Sequence, residues 1–90
     1  MEMAKKIKKE HLSKSQKHKV GDLWIHPELE VVIRLIAIDN NTILPAIKTA
    51  YHVESSKGAI FVCAGRAGFK KMIDGWYKLE SPSYVQTYLH

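Results

Sequence analysis

Seven lysines stand in the opening stretch MEMAKKIKKEHLSKSQKHK: Lys5, Lys6, Lys8, Lys9, Lys14, Lys17 and Lys19. Only Glu2 and Glu10 oppose them, so seven charges against two leave this stretch at +5. Ammonium groups at this density neutralise phosphates and release condensed counterions. The result is salt-sensitive, sequence-blind binding to DNA or RNA. The stretch has no arginine for bidentate recognition and no aromatic side chain to stack on bases. A solvated tail, or one that docks on an acidic protein, is the competing use of the same residues. A second positive group surrounds two glycines, Gly65-Arg66-Ala67-Gly68-Phe69-Lys70-Lys71. Glycine lets backbone N–H groups approach an anion, and Arg66, Lys70 and Lys71 add charge beside a helix start. The plainer reading is a strand-to-helix turn that needs glycine conformations.

Other chemistry is thin. Histidines and acids at His26, Glu28, Glu30 and His52 match no zinc-ligand spacing, and His-Pro-Glu-Leu-Glu reads as an exposed turn. No nucleophile–base arrangement, phosphate loop or paired carboxylates in an apolar setting is present. The expectation is a protein that is not an enzyme and needs no cofactor or metal. Cys63, the single cysteine, lies in the apolar run AIFVCA and is expected to be buried and inert. One cysteine excludes an internal disulfide and fits a reducing cytoplasm. The basic start is followed by no apolar signal-type run. No apolar run approaches the roughly 18 residues that cross a bilayer.

These residues must be positioned by one small domain, since the chain has 90 residues. Residues 20–90 hold seven cations and seven carboxylates, so the net charge of the chain lives in residues 1–19. The division expected is a flexible basic arm at 1–19 and a small β-barrel domain at 20–90. Val20-Gly21-Asp22 turns into a strand at Leu23–His26, which Pro27-Glu28 breaks. VVIRLIAID, Val31–Asp39, is β-branched and apolar on both faces except at Arg34, as in a central strand. Asp39-Asn40-Asn41-Thr42 is a turn. In ILPAIKTAYHV, Ile43, Ile47, Tyr51 and Val53 alternate with Leu44, Lys48 and His52, which predicts a strand with Pro45 at an edge or bulge. Ser55–Gly58 is a hairpin loop, Ala59–Ala64 the return strand, and Gly65–Gly68 another turn.

Phe69, Met72, Ile73 and Trp76 fall at i, i+3, i+4 and i+7, which predicts a short helical segment. WYKLE is a last strand, and Ser81-Pro82-Ser83 opens a short C-terminal helix. Trp24, Tyr51, Phe61, Phe69 and Trp76 are expected in the core, with Tyr77 outward because neighbours on a strand face opposite ways.

Five short strands in about 60 residues suggest a mainly β, strongly curved sheet or barrel. With VGDLW opening the first strand, NN and SSKG at hairpin turns, and GWYKL closing the sheet after a helical turn, the chain resembles Src-homology-3-like small β-barrels. Small phage and mobile-element proteins include barrels of this kind. The resemblance implies a binding module. GRAG also resembles the GxxG loop of KH domains, where backbone approaches nucleic-acid phosphates. That family places a short helix before the loop, whereas a strand precedes it here.

The function expected is a non-enzymatic binding module, associated with DNA or RNA through the seven arm lysines and Arg66, Lys70 and Lys71. The rival is a protein-interaction module, such as an inhibitor or adaptor of a larger enzyme. It would dock through Tyr77, Tyr84, Tyr88 and Leu89, and that same surface would also serve a homodimer.

Overall fold

The computed structural model describes residues 7–15, 17–26, 28–41 and 48–89. Five strands form one antiparallel sheet: β1 (Leu23–His26), β2 (Val31–Asp39), β3 (Ala50–Ser55), β4 (Ile60–Ala64) and β5 (Tyr77–Lys78). The spatial order is β4-β3-β2-β1-β5, so four strands meander and the last returns beside the first. Helix α1 (Gly65–Met72) connects β4 to β5. A 3-10 turn, Pro82–Tyr84, leads into the short helix α2 (Val85–Tyr88). The sheet is not closed: among the described residues β4 and β5 are its two edges. The barrel expectation is therefore met as far as a five-stranded sheet.

β2 is central because both of its faces are buried. Ile33 and Leu35 enter one cluster with Trp24, Tyr51, Val53 and Phe69, and Met72, Ile73 and Trp76 pack on it. Val32 points the other way, into a second cluster with Leu23, Ile25, Leu79 and Tyr88. Strand alternation puts Trp24 on the first face and its neighbours Leu23 and Ile25 on the second. α1 covers the first face. The second face is covered by α2 and by the N-terminal stretch, through Ile7 and Leu12.

That last contact revises the idea of a detached arm. Residues 9–11 make a 3-10 turn, Leu12 bridges Leu79, and Glu80 N–H donates to the His11 carbonyl at 2.8 Å. The His11 ring stacks on Tyr84 at 4.0 Å, and its Nδ1 lies 2.7 Å from the Tyr88 hydroxyl, which also accepts from Lys8 N–H. Tyr88 is thus buried, and Tyr84 and Leu89 are half-buried. Of the residues expected to form a docking surface, Tyr84 and Tyr88 contact the N-terminal stretch and Leu89 packs on the second cluster. Tyr77 does face outward.

Three further expectations change. β3 starts at Ala50; Thr42, Ile43, Leu44, Pro45 and Ile47 lie outside the described residues, and Lys48 and Thr49 are bent. Thr49 is held there because its carbonyl accepts from Gly65 N–H at 2.7 Å and its hydroxyl donates to Asn40. Phe61 is 45% exposed rather than core, because β4 is an edge strand. Gly65–Gly68 is not a loop but the first turn of α1.

The two glycines of that turn differ. Gly65 sits at φ 73°, in the left-handed region, while Gly68 is helical and a Cβ there would meet neighbours only at ordinary contact distance. Gly65→Ala should lower unfolding stability by about 1–2 kcal/mol. Gly68→Ala should raise it by up to about 1 kcal/mol through helix propensity. Urea titrations of the two variants check the opposite signs.

Candidate anion-binding cleft

The described arm lysines separate into two groups. Lys9 and Lys14 line a shallow depression together with Glu10 and Glu80, so their charge is offset on the spot. Lys17 and Lys19 instead line a cleft of ≈ 330 Å³ with His18, Tyr51 and Arg66. Lys5 and Lys6 lie outside the described residues. Lys8 is exposed, and its backbone is the part that is engaged, at Tyr88.

The cleft exists because His18 is laid onto the first core cluster. Its ring meets those of Phe69 at 5.0 Å, Trp24 at 5.9 Å and Tyr51 at 6.5 Å, all edge-on. Lys78 holds the chain there. Its Nζ donates to the Lys17 carbonyl at 2.6 Å, pairs with Asp22 at 3.0 Å and lies 5.9 Å from the Trp24 ring centre. The Lys78–Asp22 pair is mostly shielded, with side chains 13% and 22% exposed, against 55% and 43% for the cross-strand Arg34–Glu54 pair. Shielding from water makes the first pair the more consequential of the two. Asp22 also accepts from Lys19 N–H at 2.9 Å, which fixes the turn into β1.

From α1, Arg66 and Lys70 share a helix face, being four residues apart. Both press on His18 electrostatically. Burial first, then Arg66, Lys78 and Lys70, hold its pKa below the ordinary histidine value, with Asp22 pulling weakly the other way. Lys71 falls about 100° further round the helix and is not among the charges acting on His18. Of the three cations expected to act from this loop, Arg66 lines the cleft and Lys70 acts on His18 from beyond its lining. The N-terminus of α1 adds to the imbalance: it has no side-chain cap and no acid in its first turn.

A larger groove of ≈ 450 Å³ lies over the second face, between Leu23 and Val32 on the sheet and Val85 and Leu89 beside α2. Its charged pair, Arg34 and Glu54, is self-neutralised. Cys63 is half-buried with its Sγ 3.2 Å from Met72 Sδ, and burial pushes its thiol up, away from a reactive thiolate. Among the described residues no three His, Cys, Asp or Glu side chains gather as metal ligands, and His26 instead accepts from Leu29 N–H. No helix of the described residues is long and apolar enough to cross a membrane.

Two residues that build the cleft, His18 and Lys78, were not singled out from the sequence. A signal existed for Lys78. Once Tyr77 faces outward, alternation puts Lys78 inward beside Trp76, and a lysine on a core-facing position calls for a partner. No comparable pattern marks His18. Comparison with known proteins finds no matching family model, no matching curated protein and no matching solved structure.

The His18 geometry has a pH consequence. The unfolded chain takes up this proton more readily than the folded one. Stability should therefore be flat above about pH 6.5, fall as pH drops below it, and level off beneath the depressed folded value. The melting temperature of the wild type should fall more between about pH 7.5 and pH 5.5 than that of His18→Gln. Equal falls would show that His18 is not buried among these charges.

Proposed function

We propose that this chain is a non-enzymatic binding module for polyanions, foremost DNA or RNA, and that the cleft around His18 is its principal contact. The carrying observation is the convergence of Lys17 and Lys19 with Arg66 on one concavity, with Lys70 close enough to act on the same ring. Lys78 already has Asp22 as partner, whereas among the described residues no acidic side chain lines this cleft. Arg66 supplies a planar fork suited to a phosphate, and the lysines act as point charges. The aromatic rings beneath the cleft are packed in the core, so they support the floor rather than stack on bases. Contacts of this kind read phosphate and not sequence. The remaining arm lysines, Lys5, Lys6 and Lys8 among them, would extend the contact along the strand.

We read the sheet, further, as an open form of the Src-homology-3-like small barrel. A last strand that returns beside the first after a helical segment supports that reading. A cytoplasmic setting is in keeping with the single cysteine.

A second reading, the protein-interaction module, is favoured by one observation. β4 is an edge strand whose Ile60, Phe61 and Val62 are exposed, at the opposite edge from exposed Tyr77. An apolar edge of this sort suits strand addition by a partner.

Truncation at Lys19 is a poor test, because residues 7–12 complete the second core cluster. Charge neutralisation is the better one. Log affinity for a labelled oligonucleotide should fall linearly with log salt, with a slope that shrinks by about 0.7–0.9 for each phosphate contact removed. The pair Arg66→Gln and Lys70→Gln should therefore weaken binding and lower the slope by about 1.4–1.8. Lys57→Gln, at the far end of β3, should leave both unchanged. An unaltered slope in the double variant would move the contact away from the cleft. No binding at low salt would leave the protein-interaction reading in its place.

A further inference from the structure

We infer that a phosphate seated in the cleft drives a proton onto His18, so that polyanion binding here is coupled to proton uptake and strengthens as pH falls through the histidine range. The inference rests on the reading of the cleft as an anion site, and adds a regulation to it.

The groups that face His18 can be named element by element. Lys17 and Lys19 flank it in the chain, and Asp22 follows at the turn. Trp24 faces it from β1 and Tyr51 from β3. Phe69, Arg66 and Lys70 face it from α1, and Lys78 from β5. The set contains several cations and one carboxylate, and that carboxylate is engaged by Lys78 and by Lys19 N–H. In the free protein the ring's affinity for a proton is therefore lowered by its surroundings, with burial as the first cause. A phosphate among Lys17, Lys19 and Arg66 reverses the local balance. It offsets the cations that oppose the imidazolium and adds an acceptor for it. Linkage is reciprocal, so if phosphate raises the proton affinity of His18, the proton raises the phosphate affinity by the same factor. Each unit by which the ligand lifts the His18 pKa tightens low-pH binding by up to about tenfold relative to high pH.

Other histidines sit elsewhere. His11 is held at the Tyr88 hydroxyl, His26 at Leu29 N–H, and His52 lies on the opposite sheet face from Tyr51 and Val53. A variant lacking only His18 leaves all three in place.

The test uses the full chain and a 5′-hydroxyl oligothymidylate, whose phosphodiesters keep a constant charge between about pH 5.5 and pH 8. Binding is measured by fluorescence anisotropy at fixed ionic strength at both ends of that range, for wild type and His18→Gln. In parallel, the His18 ring protons of the wild type are titrated by NMR with and without the oligonucleotide. The expected result is a several-fold greater tightening in the wild type than in His18→Gln, and a His18 midpoint that moves up when the oligonucleotide is bound. Equal tightening in both proteins, or an unmoved midpoint while the oligonucleotide binds, overturns the proton coupling and leaves the anion site standing. No binding at either pH overturns the anion site and the coupling with it. If His18→Gln does not fold, the wild-type NMR titration alone decides.

Discussion

The ammonium group of Lys78 is the point on which the arrangement turns. It has three protons to donate and meets Asp22, the Lys17 carbonyl and, more distantly, the Trp24 ring. β5 is two residues long, yet through this one side chain it fastens the N-terminal stretch, the turn into β1 and the first core cluster together. With Lys17 held, His18 falls onto Phe69 and Trp24, and Lys17 and Lys19 come up beside Arg66. Without it, the lysines of the opening stretch would repel one another and the charges of α1, with only the Asp22 bond to Lys19 N–H left to hold this part of the segment beside α1.

A second constraint is that the sheet is apolar on both faces. Because apolar side chains cluster on both faces, each face needs a cover. α1 supplies one. The other is assembled from the two ends of the chain, with Ile7 and Leu12 from one side and Val85, Tyr88 and Leu89 from the other. His11, stacked on Tyr84 and bonded to Tyr88, joins those ends. The positive cleft and the second core are therefore products of the same event, the docking of one lysine-rich segment along the edge of the sheet.

Much of the sheet was legible from residue order. Leu23–His26 and Val31–Asp39 were read at their observed bounds, because turn residues bracket them and β-branched runs fill them. The C-terminal helix was legible from Ser81-Pro82, whose serine caps Ser83 N–H. Which side of that helix faces in was not, since an apolar stripe looks the same whether it meets the core or a partner. Phe61 was misplaced for a related reason: an apolar run does not state whether its strand is central or at an edge. The docking of the opening stretch was hidden by its composition. Ile7, His11 and Leu12 are isolated among lysines, and their value depends on Leu79, Tyr84 and Tyr88, some seventy residues away. The candidate site was legible only as two broad charge groups, the seven arm lysines and Arg66 with Lys70 and Lys71; that Lys17 and Lys19 in particular meet Arg66 around His18 is a tertiary fact.

The most direct measurement is of proton–proton contacts by NMR between the His18 ring and the rings of Phe69, Trp24 and Tyr51, in the wild type and in Lys78→Met. The account predicts such contacts and ring-shifted His18 resonances in the wild type, with both lost in Lys78→Met while the Trp24–Phe69 contact survives. A wild-type His18 at random-coil shifts, with no contact to these rings, would contradict it: the lysine-rich segment would then not be held against α1, and the cleft would not exist in solution.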